Sequence, residues 1–312
     1  MTDSASGRVA GIDCGTNSIR LLVADPADGG GLRDVHREMR VVRLGEGVDG
    51  TGMLSAQAIE RTRLALADYA GIIASLGARH VRMVATSASR DARNAAEFVT
   101  MVLHTLGVAP EVISGTEEAA LSFTGAIGGL PGAADPLLVA DIGGGSTELV
   151  LGSPTTELVT ASFSMDVGCV RMTERHLHDD PPTESQIAAT VDDLRAAIQL
   201  ASEHVPASDA AAFVGVAGTV TTIAAIALGL PAYDPDAIHG SVLSAAQVDE
   251  VTDRLLGMSR SERAAMPVMH PGRVDVIGGG ALVLRTLMRE IGVGSVIVSE
   301  HDILDGIALS LL

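Results

Sequence analysis

The sequence predicts an α/β protein made of two similar halves that face each other. Three observations carry this. A chain of 312 residues has room for two domains or one large one. Short apolar runs alternate with longer stretches at helical spacing. One unit, an apolar run closed by Asp, a Gly-rich turn and a second apolar run, occurs twice, at Asp13 and at Asp141.

The elements follow in order. Val9 to Asp13 and Ile19 to Ala24 read as strands joined by the tight turn Cys14-Gly15-Thr16-Asn17-Ser18, and Val35 to Leu44 as a third strand. Ser55 to Leu76 has helical spacing, with Ser55 as N-cap and Gly77 as stop. Val81 to Ala85 is a strand, Asp91 to Leu106 a helix, Glu111 to Ile113 a short strand and Glu117 to Ile127 a helix. Gly128 to Gly132, rich in Gly and Pro, is the hinge candidate. Leu137 to Asp141, the turn Gly143-Gly144-Gly145-Ser146-Thr147 and Leu149 to Leu151 repeat the opening pattern. Helices are expected near 184–203, 219–228, 247–257 and 280–291, strands near 211–216 and 295–298, and a last helix from Asp302 to Leu312.

Composition narrows the function. Apolar residues make up 47%, which excludes a disordered chain. Aromatics are 2% with no Trp, so the cores fall to Ala, Val, Leu and Ile, and a base-stacking single-strand binder is excluded. A net charge of −18 argues against a nucleic-acid or membrane-surface partner. All 21 basic residues are Arg, so Walker-type phosphate loops and Schiff-base or kinase-type lysines are ruled out. Residues 1–93 hold 12 Arg against 11 acids, and residues 94–312 hold 9 against 28. The first third is therefore the part whose field favours an anionic ligand, through Arg33, Arg37, Arg40 and Arg43 and through Arg79, Arg82, Arg90 and Arg93. Two cysteines make neither a disulfide framework nor a zinc site. Met1 to Gly7 is small and polar, no apolar run is long enough for a membrane span, and a cytoplasmic protein is expected.

The two Asp–Gly turns suit phosphate chemistry. Glycine lets backbone N–H groups approach an anion, and such a turn forms an anion-binding nest. The hydroxyls of Thr16, Ser18, Ser146 and Thr147 can add donors. A carboxylate cannot hold phosphate directly, but it can hold a magnesium ion that does. An isolated turn of this kind is most often a plain hairpin. The repetition is what raises the signal.

Gly11-Ile12-Asp13-Cys14-Gly15-Thr16-Asn17-Ser18-Ile19-Arg20 resembles the first phosphate motif of the exopolyphosphatase/guanosine pentaphosphate phosphohydrolase (Ppx/GppA) family. Val139 to Glu148 resembles its second. Blocks at 85–92, 114–119, 168–175 and 215–219 resemble four more, in order over nearly the whole chain. The resemblance implies two actin-like domains of the ribonuclease H-like, sugar kinase/Hsp70/actin superfamily about a central cleft. One is 1–128 with 301–312, since the family's last helix returns to the first domain, and the other is 129–300. The chain ends where short members end, so a form without C-terminal helical domains is expected.

The implied reaction is metal-assisted hydrolysis of a terminal phosphoanhydride. Glu118 matches the family's catalytic glutamate, which orients and deprotonates the attacking water, and Glu117 is a neighbour with a supporting or solvated role. Adjacent helical residues point about 100° apart, so only one of the pair can face the substrate. Arg90 matches an arginine at the scissile phosphate. Asp141 and Glu148 match metal-linked carboxylates, with Asp13 at the equivalent first turn, for Mg²⁺ or alternatively Mn²⁺. The phosphate cradle is expected from Cys14, Gly15, Thr16, Asn17, Ser18, Gly143, Gly144, Gly145 and Ser146. Arg20 either faces the substrate or is a salt-bridged structural residue. Cys14 reads as packing rather than nucleophile, because no C-x₅-R loop follows it. His176, His178, Asp179 and Asp180 form a metal set on paper, but the adjacent Pro181-Pro182 suggests a surface loop. Gly278-Gly279-Gly280 is either a nucleotide loop or a turn into a helix.

The leading expectation is an exopolyphosphatase acting on inorganic polyphosphate, as a homodimer. The alternatives are a guanosine pentaphosphate (pppGpp) phosphohydrolase, an actin-like sugar or acid kinase, and a catalytically weak alarmone sensor. The acidic surplus after residue 93 favours short polyphosphates or a nucleotide over a long polyanion.

Overall fold

The computed structural model describes residues 7–28, 31–130 and 132–312. Expectations for Met1 to Ser6 and for Pro131 of the hinge candidate lie outside the described residues. The chain divides into two compact units. One runs to Gly128 and regains Ile303–Leu312; the other is Gly129–Asp302.

The first unit is built on a five-stranded sheet: β1 (Val9–Cys14), β2 (Ser18–Pro26), β3 (Leu32–Val41), β4 (His80–Ala85) and β5 (Glu111–Val112), in the order β3-β2-β1-β4-β5. The first three strands are an antiparallel meander, and β4 and β5 add on in parallel. β1 is buried throughout, as a central strand must be. The helix Ala56–Leu76 is capped by the Ser55 hydroxyl, which accepts from Ala58 N–H, and ends at Gly77 with φ 73°. The returning helix Ile303–Leu309 packs on the helix Gly115–Gly128 and on β1. Gly306 makes this possible, since a Cβ there would lie 2.0 Å from the Leu121 carbonyl oxygen. Few aromatics exist, yet Tyr69, Phe98 and Phe123 are among the largest fully buried side chains.

The second unit repeats the plan. β6 (Leu137–Ile142), β7 (Thr147–Ser153) and β8 (Leu158–Met165) form the meander, with β9 (Ala212–Val216), β10 (Val242–Ser244) and β11 (Ser295–Val298) in the order β10-β11-β9-β6-β7-β8. β9 and β11 are parallel to β6, and β10 closes the edge antiparallel. Meander, first strand and parallel additions thus recur in both sheets, the actin-like arrangement that the family resemblance implies. Capping boxes at Thr183–Gln186 and Ser244–Gln247 start the helices Glu184–Ser202 and Ala245–Gly257.

Several elements differ from expectation. The helix expected from Asp91 to Leu106 is two, Ser87–Asp91 and Ala95–Leu106, split where Ala92 is extended. β3 starts and ends three residues early. β8, β10 and the helix Cys169–His176 were not expected. β8 does carry a strand pattern: Thr160-Ala161-Ser162-Phe163-Ser164-Met165 alternates polar and apolar, and Ala161, Phe163 and Met165 pack on the second unit's core.

Candidate active site

In the first unit, Gly15 N–H donates to Ser18 O at 3.0 Å and closes the β1–β2 hairpin. The carbonyls of Thr16 and Asn17 are held from the segment after β3. Gly45 N–H donates to Thr16 O at 2.8 Å, and Val42 and Arg43 N–H donate to Asn17 O at 3.1 and 2.8 Å. A trans peptide points its N–H opposite its carbonyl, so the N–H groups of Asn17 and Ser18 face the other side of the turn. Gly45 must be glycine, because a Cβ there would lie 2.3 Å from Thr16 Cγ2. Arg43 holds its place at φ 49°, a strained conformation for a side-chain-bearing residue.

The structure corrects the expectations for Cys14 and Gly15 in this turn and decides between the two left open for Arg20. Cys14 offers no N–H to the turn. A strand residue points N–H and C=O the same way, and Cys14 O takes Thr86 N–H on the β4 side at 3.2 Å. The Cys14 thiol lies in the core, and burial, with Asp13 adding, pushes its pKa up, so it is no nucleophile. Gly15 N–H is spent on closing the hairpin, and the Thr16 hydroxyl is hydrogen-bonded to the Ser87 hydroxyl at 2.8 Å, with either able to donate. Arg20 pairs with Asp13: its Nε and Nη2 reach Asp13 Oδ2 at 2.9 and 2.7 Å. The reason is register, since Asp13 and Arg20 are directly opposed across β1 and β2.

The Glu117–Glu118 pair resolves by helix phase. Glu117 points outward to Arg82 at 3.0 Å. Glu118 is 7% exposed, and its Oε2 accepts from Arg90 Nη1 at 3.0 Å. The same Arg90 Nη1 donates to Ile113 O at 3.1 Å. Arg90 reaches Glu118 from the helix Ser87–Asp91, which stands directly on the end of β4. The structure therefore brings Arg90 and Glu118 together and sends Glu117 elsewhere.

In the second unit the turn closes identically, Gly143 N–H to Ser146 O at 3.0 Å. That spends the Gly143 N–H expected in the cradle. Three carbonyls are taken by the start of the helix Cys169–His176. Cys169 N–H donates to Gly143 O at 3.0 Å, Val170 and Arg171 N–H to Gly144 O at 2.9 and 3.1 Å, and Arg171 Nε to Gly145 O at 2.6 Å. The N–H groups of Gly144, Gly145 and Ser146 consequently point the opposite way, and no backbone carbonyl of the described residues takes them. Three aligned N–H groups on a Gly-rich turn are an anion nest. Gly168 lets the helix approach, because a Cβ there would lie 2.5 Å from Gly144 O. The Thr147 hydroxyl is spent on Val167 O at 2.7 Å rather than facing a ligand.

Asp141 and Glu148 are directly opposed across β6 and β7, in the register that pairs Asp13 with Arg20 in the first unit. The first hairpin thus opposes a carboxylate to a guanidinium, and the second opposes two carboxylates, 6% and 1% exposed. Ser164 Oγ donates to Glu148 Oε1 at 2.8 Å from β8. Like charges directly opposite repel, and a hard divalent cation suits paired carboxylate oxygens. The donor chemistry of Asp141 and Glu148 therefore fits Mg²⁺. In the first unit Asp13 Oδ2 is held by Arg20 Nε and Nη2, and no group of three or more His, Cys, Asp or Glu is assembled among the described residues.

The paper metal set also dissolves. His176 Nε2 contacts Asp193 at 2.9 Å, Asp179 bonds Gln186, and Asp180 accepts from Arg260 N–H and Arg263. Gly279 and Gly280 lie inside the helix Ile277–Ile291. A Cβ at either would meet Thr173 Oγ1 or Thr219 Cγ2 at 2.6 Å, so close helix packing accounts for them.

The sequence model of the Ppx/GppA phosphatase family matches residues 22–312. The chain belongs to the Ppx/GppA phosphatase family. Within it, a Mycobacterium tuberculosis protein named exopolyphosphatase 2 is 54% identical over 316 residues, covering 97% of this chain and 98% of that relative. A solved exopolyphosphatase-like protein superposes with a TM-score of 0.92 at 45% identity, covering 97% of each chain. The Aquifex aeolicus Ppx/GppA structure gives 0.81 at 31%, again with 97% of each. Sequence reasoning gave Gly45, Ser87, Gly168 and Arg171 no site role. Arg171 and Gly168 stood in a family block, but only the turn carbonyls reveal what they hold.

Proposed function

We propose that this Ppx/GppA protein is an exopolyphosphatase that hydrolyses the terminal phosphoanhydride of inorganic polyphosphate and releases orthophosphate. The observation that carries the reading is the buried Glu118 carboxylate held by Arg90, in a family member that is 54% identical to a protein named exopolyphosphatase 2.

Hydrolysis needs a positioned water, an acceptor for its proton, and donors for the charge on the phosphoryl oxygens. Glu118 is the acceptor: its carboxylate orients the water and takes its proton at one oxygen. Arg90 fixes that carboxylate and offers the rest of its planar fork to a phosphoryl oxygen. The N–H groups of Gly144, Gly145 and Ser146 are donors for phosphate oxygens in the second unit, and those of Asn17 and Ser18 are donors in the first. Asp141 and Glu148 would hold Mg²⁺, which supplies neutralisation of phosphate charge. The enzyme works as a homodimer in the cytoplasm. No helix of the described residues is long and apolar enough to cross a membrane.

Guanosine pentaphosphate is the alternative substrate, because the acidic surplus after residue 93 favours short polyphosphates or a nucleotide over a long polyanion. Phosphate release with Mg²⁺ from short polyphosphate, long polyphosphate and guanosine pentaphosphate, with Glu118→Gln as blank, tests all of this. Release from polyphosphate that vanishes in the variant is expected. Release from the nucleotide alone moves the assignment to pppGpp hydrolysis, and silence on all three overturns it. Sedimentation checks the dimer.

A further inference from the structure

We propose that Arg171 is a positioning residue of the phosphate turn: it locks the Gly145–Ser146 peptide so that Ser146 N–H faces the bound phosphate. The inference rests on the reading of this turn as a phosphate cradle.

The argument starts from the glycines. Gly143, Gly144 and Gly145 leave each peptide of the turn free to rotate at little cost. Local sequence therefore cannot decide whether the turn shows a phosphate its N–H groups or its carbonyls, and only the N–H face attracts an anion. The decision comes from outside the turn. The first N–H groups of a helix have no partner within the helix. Here Cys169, Val170 and Arg171 spend theirs on the turn carbonyls. The helix start therefore acts on phosphate indirectly, by fixing which way the turn faces.

Backbone donors hold Gly143 O and Gly144 O, but they do not reach Gly145 O. That carbonyl is held by a side chain, Arg171 Nε, at 2.6 Å. Arg171 is tied at its other end, since its own N–H holds Gly144 O at 3.1 Å. One residue thus sets two successive peptides. Loss of the Nε bond frees the Gly145–Ser146 peptide to turn, which would replace a donor facing the phosphate with a carbonyl oxygen.

The experiment compares Arg171→Met, Arg171→Gln and Arg171→Lys with the full-length wild type. Gln carries its amide nitrogen at the same number of bonds from Cα as Arg Nε, so it can keep the bond to Gly145 O without the charge. Lys keeps the charge but places its nitrogen one atom further out. The readouts are kcat/KM on polyphosphate, affinity for orthophosphate by calorimetry, and melting temperature. Arg171→Met is expected to lower kcat/KM about 100-fold, the cost of losing one oriented donor, and to weaken orthophosphate binding. Arg171→Gln is expected to recover most of both, and Arg171→Lys little.

Wild-type kcat/KM in Arg171→Met overturns the inference. So does rescue by Lys where Gln fails, which would assign Arg171 to direct charge contact with substrate. If Arg171→Met does not fold, the Gln–Lys comparison alone decides. If the wild type releases no phosphate from polyphosphate, the functional reading fails, and the orthophosphate arm still judges Arg171. Equal phosphate affinity in wild type and variants, or none in the wild type, would then sink it.

Discussion

Arg90 Nη1 lies 3.0 Å from Glu118 Oε2, and the two residues come from different helices 28 positions apart. The carboxylate is almost fully buried, whereas the arginine side chain is 25% exposed. The pair therefore joins a buried carboxylate to a guanidinium that solvent can still reach.

Replacing Arg90 with Met should separate two effects. Glu118 would lose a charge-assisted hydrogen bond while buried, costing about 2 kcal/mol of stability. Turnover should fall by about 100-fold or more, because a transition-state donor is lost. Denaturant titration and phosphate release, measured on one preparation, check both. Unchanged stability would show that Glu118 does not depend on Arg90.

Glu117→Gln is the contrasting case. Glu117 is exposed and paired with Arg82, which also holds Glu111. Surface pairs contribute little, so activity should be unchanged and stability should move by less than about 1 kcal/mol. A collapse of turnover in this variant would reverse the assignment of the two glutamates.

Ala217 has φ 69° where β9 runs directly into the helix Ala217–Ala227. A left-handed conformation costs a side-chain-bearing residue about 1–2 kcal/mol. Glycine relieves that but has more unfolded freedom to lose. Ala217→Gly should therefore raise stability by less than about 1 kcal/mol, read as a higher denaturation midpoint. A lower midpoint would mean that the Ala217 methyl contributes more than its strain costs.

His270 should make stability pH-dependent. Burial first, and the Arg273 charge second, lower its pKa. The folded state therefore disfavours the proton that the unfolded chain takes up near pH 6.5. The stabilisation is present above that value and is lost as pH falls through the depressed one. Urea midpoints between pH 7.5 and 5 should decline more steeply for wild type than for His270→Gln. Parallel curves would exclude the histidine as the source.

The sequence by itself determined the repeated strand–turn–strand hairpins, because apolar runs ending in Asp-x-Gly leave little choice of local structure. It also located the helices with strong caps, such as Ser55 to Gly77. It pointed to Arg90 and Glu118 by family resemblance. It could not choose between the two structural outcomes open to Arg20, because that depended on which residue lay across the hairpin. It also carried β8, in the polar–apolar alternation of Thr160 to Met165, although that strand was not among those expected.

Only the tertiary structure decided which donors of each turn remain for a ligand. Gly15, Gly143 and Thr147 look like phosphate donors in a motif, yet each is spent within the protein. The direction of a glycine-rich turn is likewise absent from its own sequence. Glycine permits both orientations of each peptide, so segments distant in the chain, residues 42–45 and 168–171, must select one.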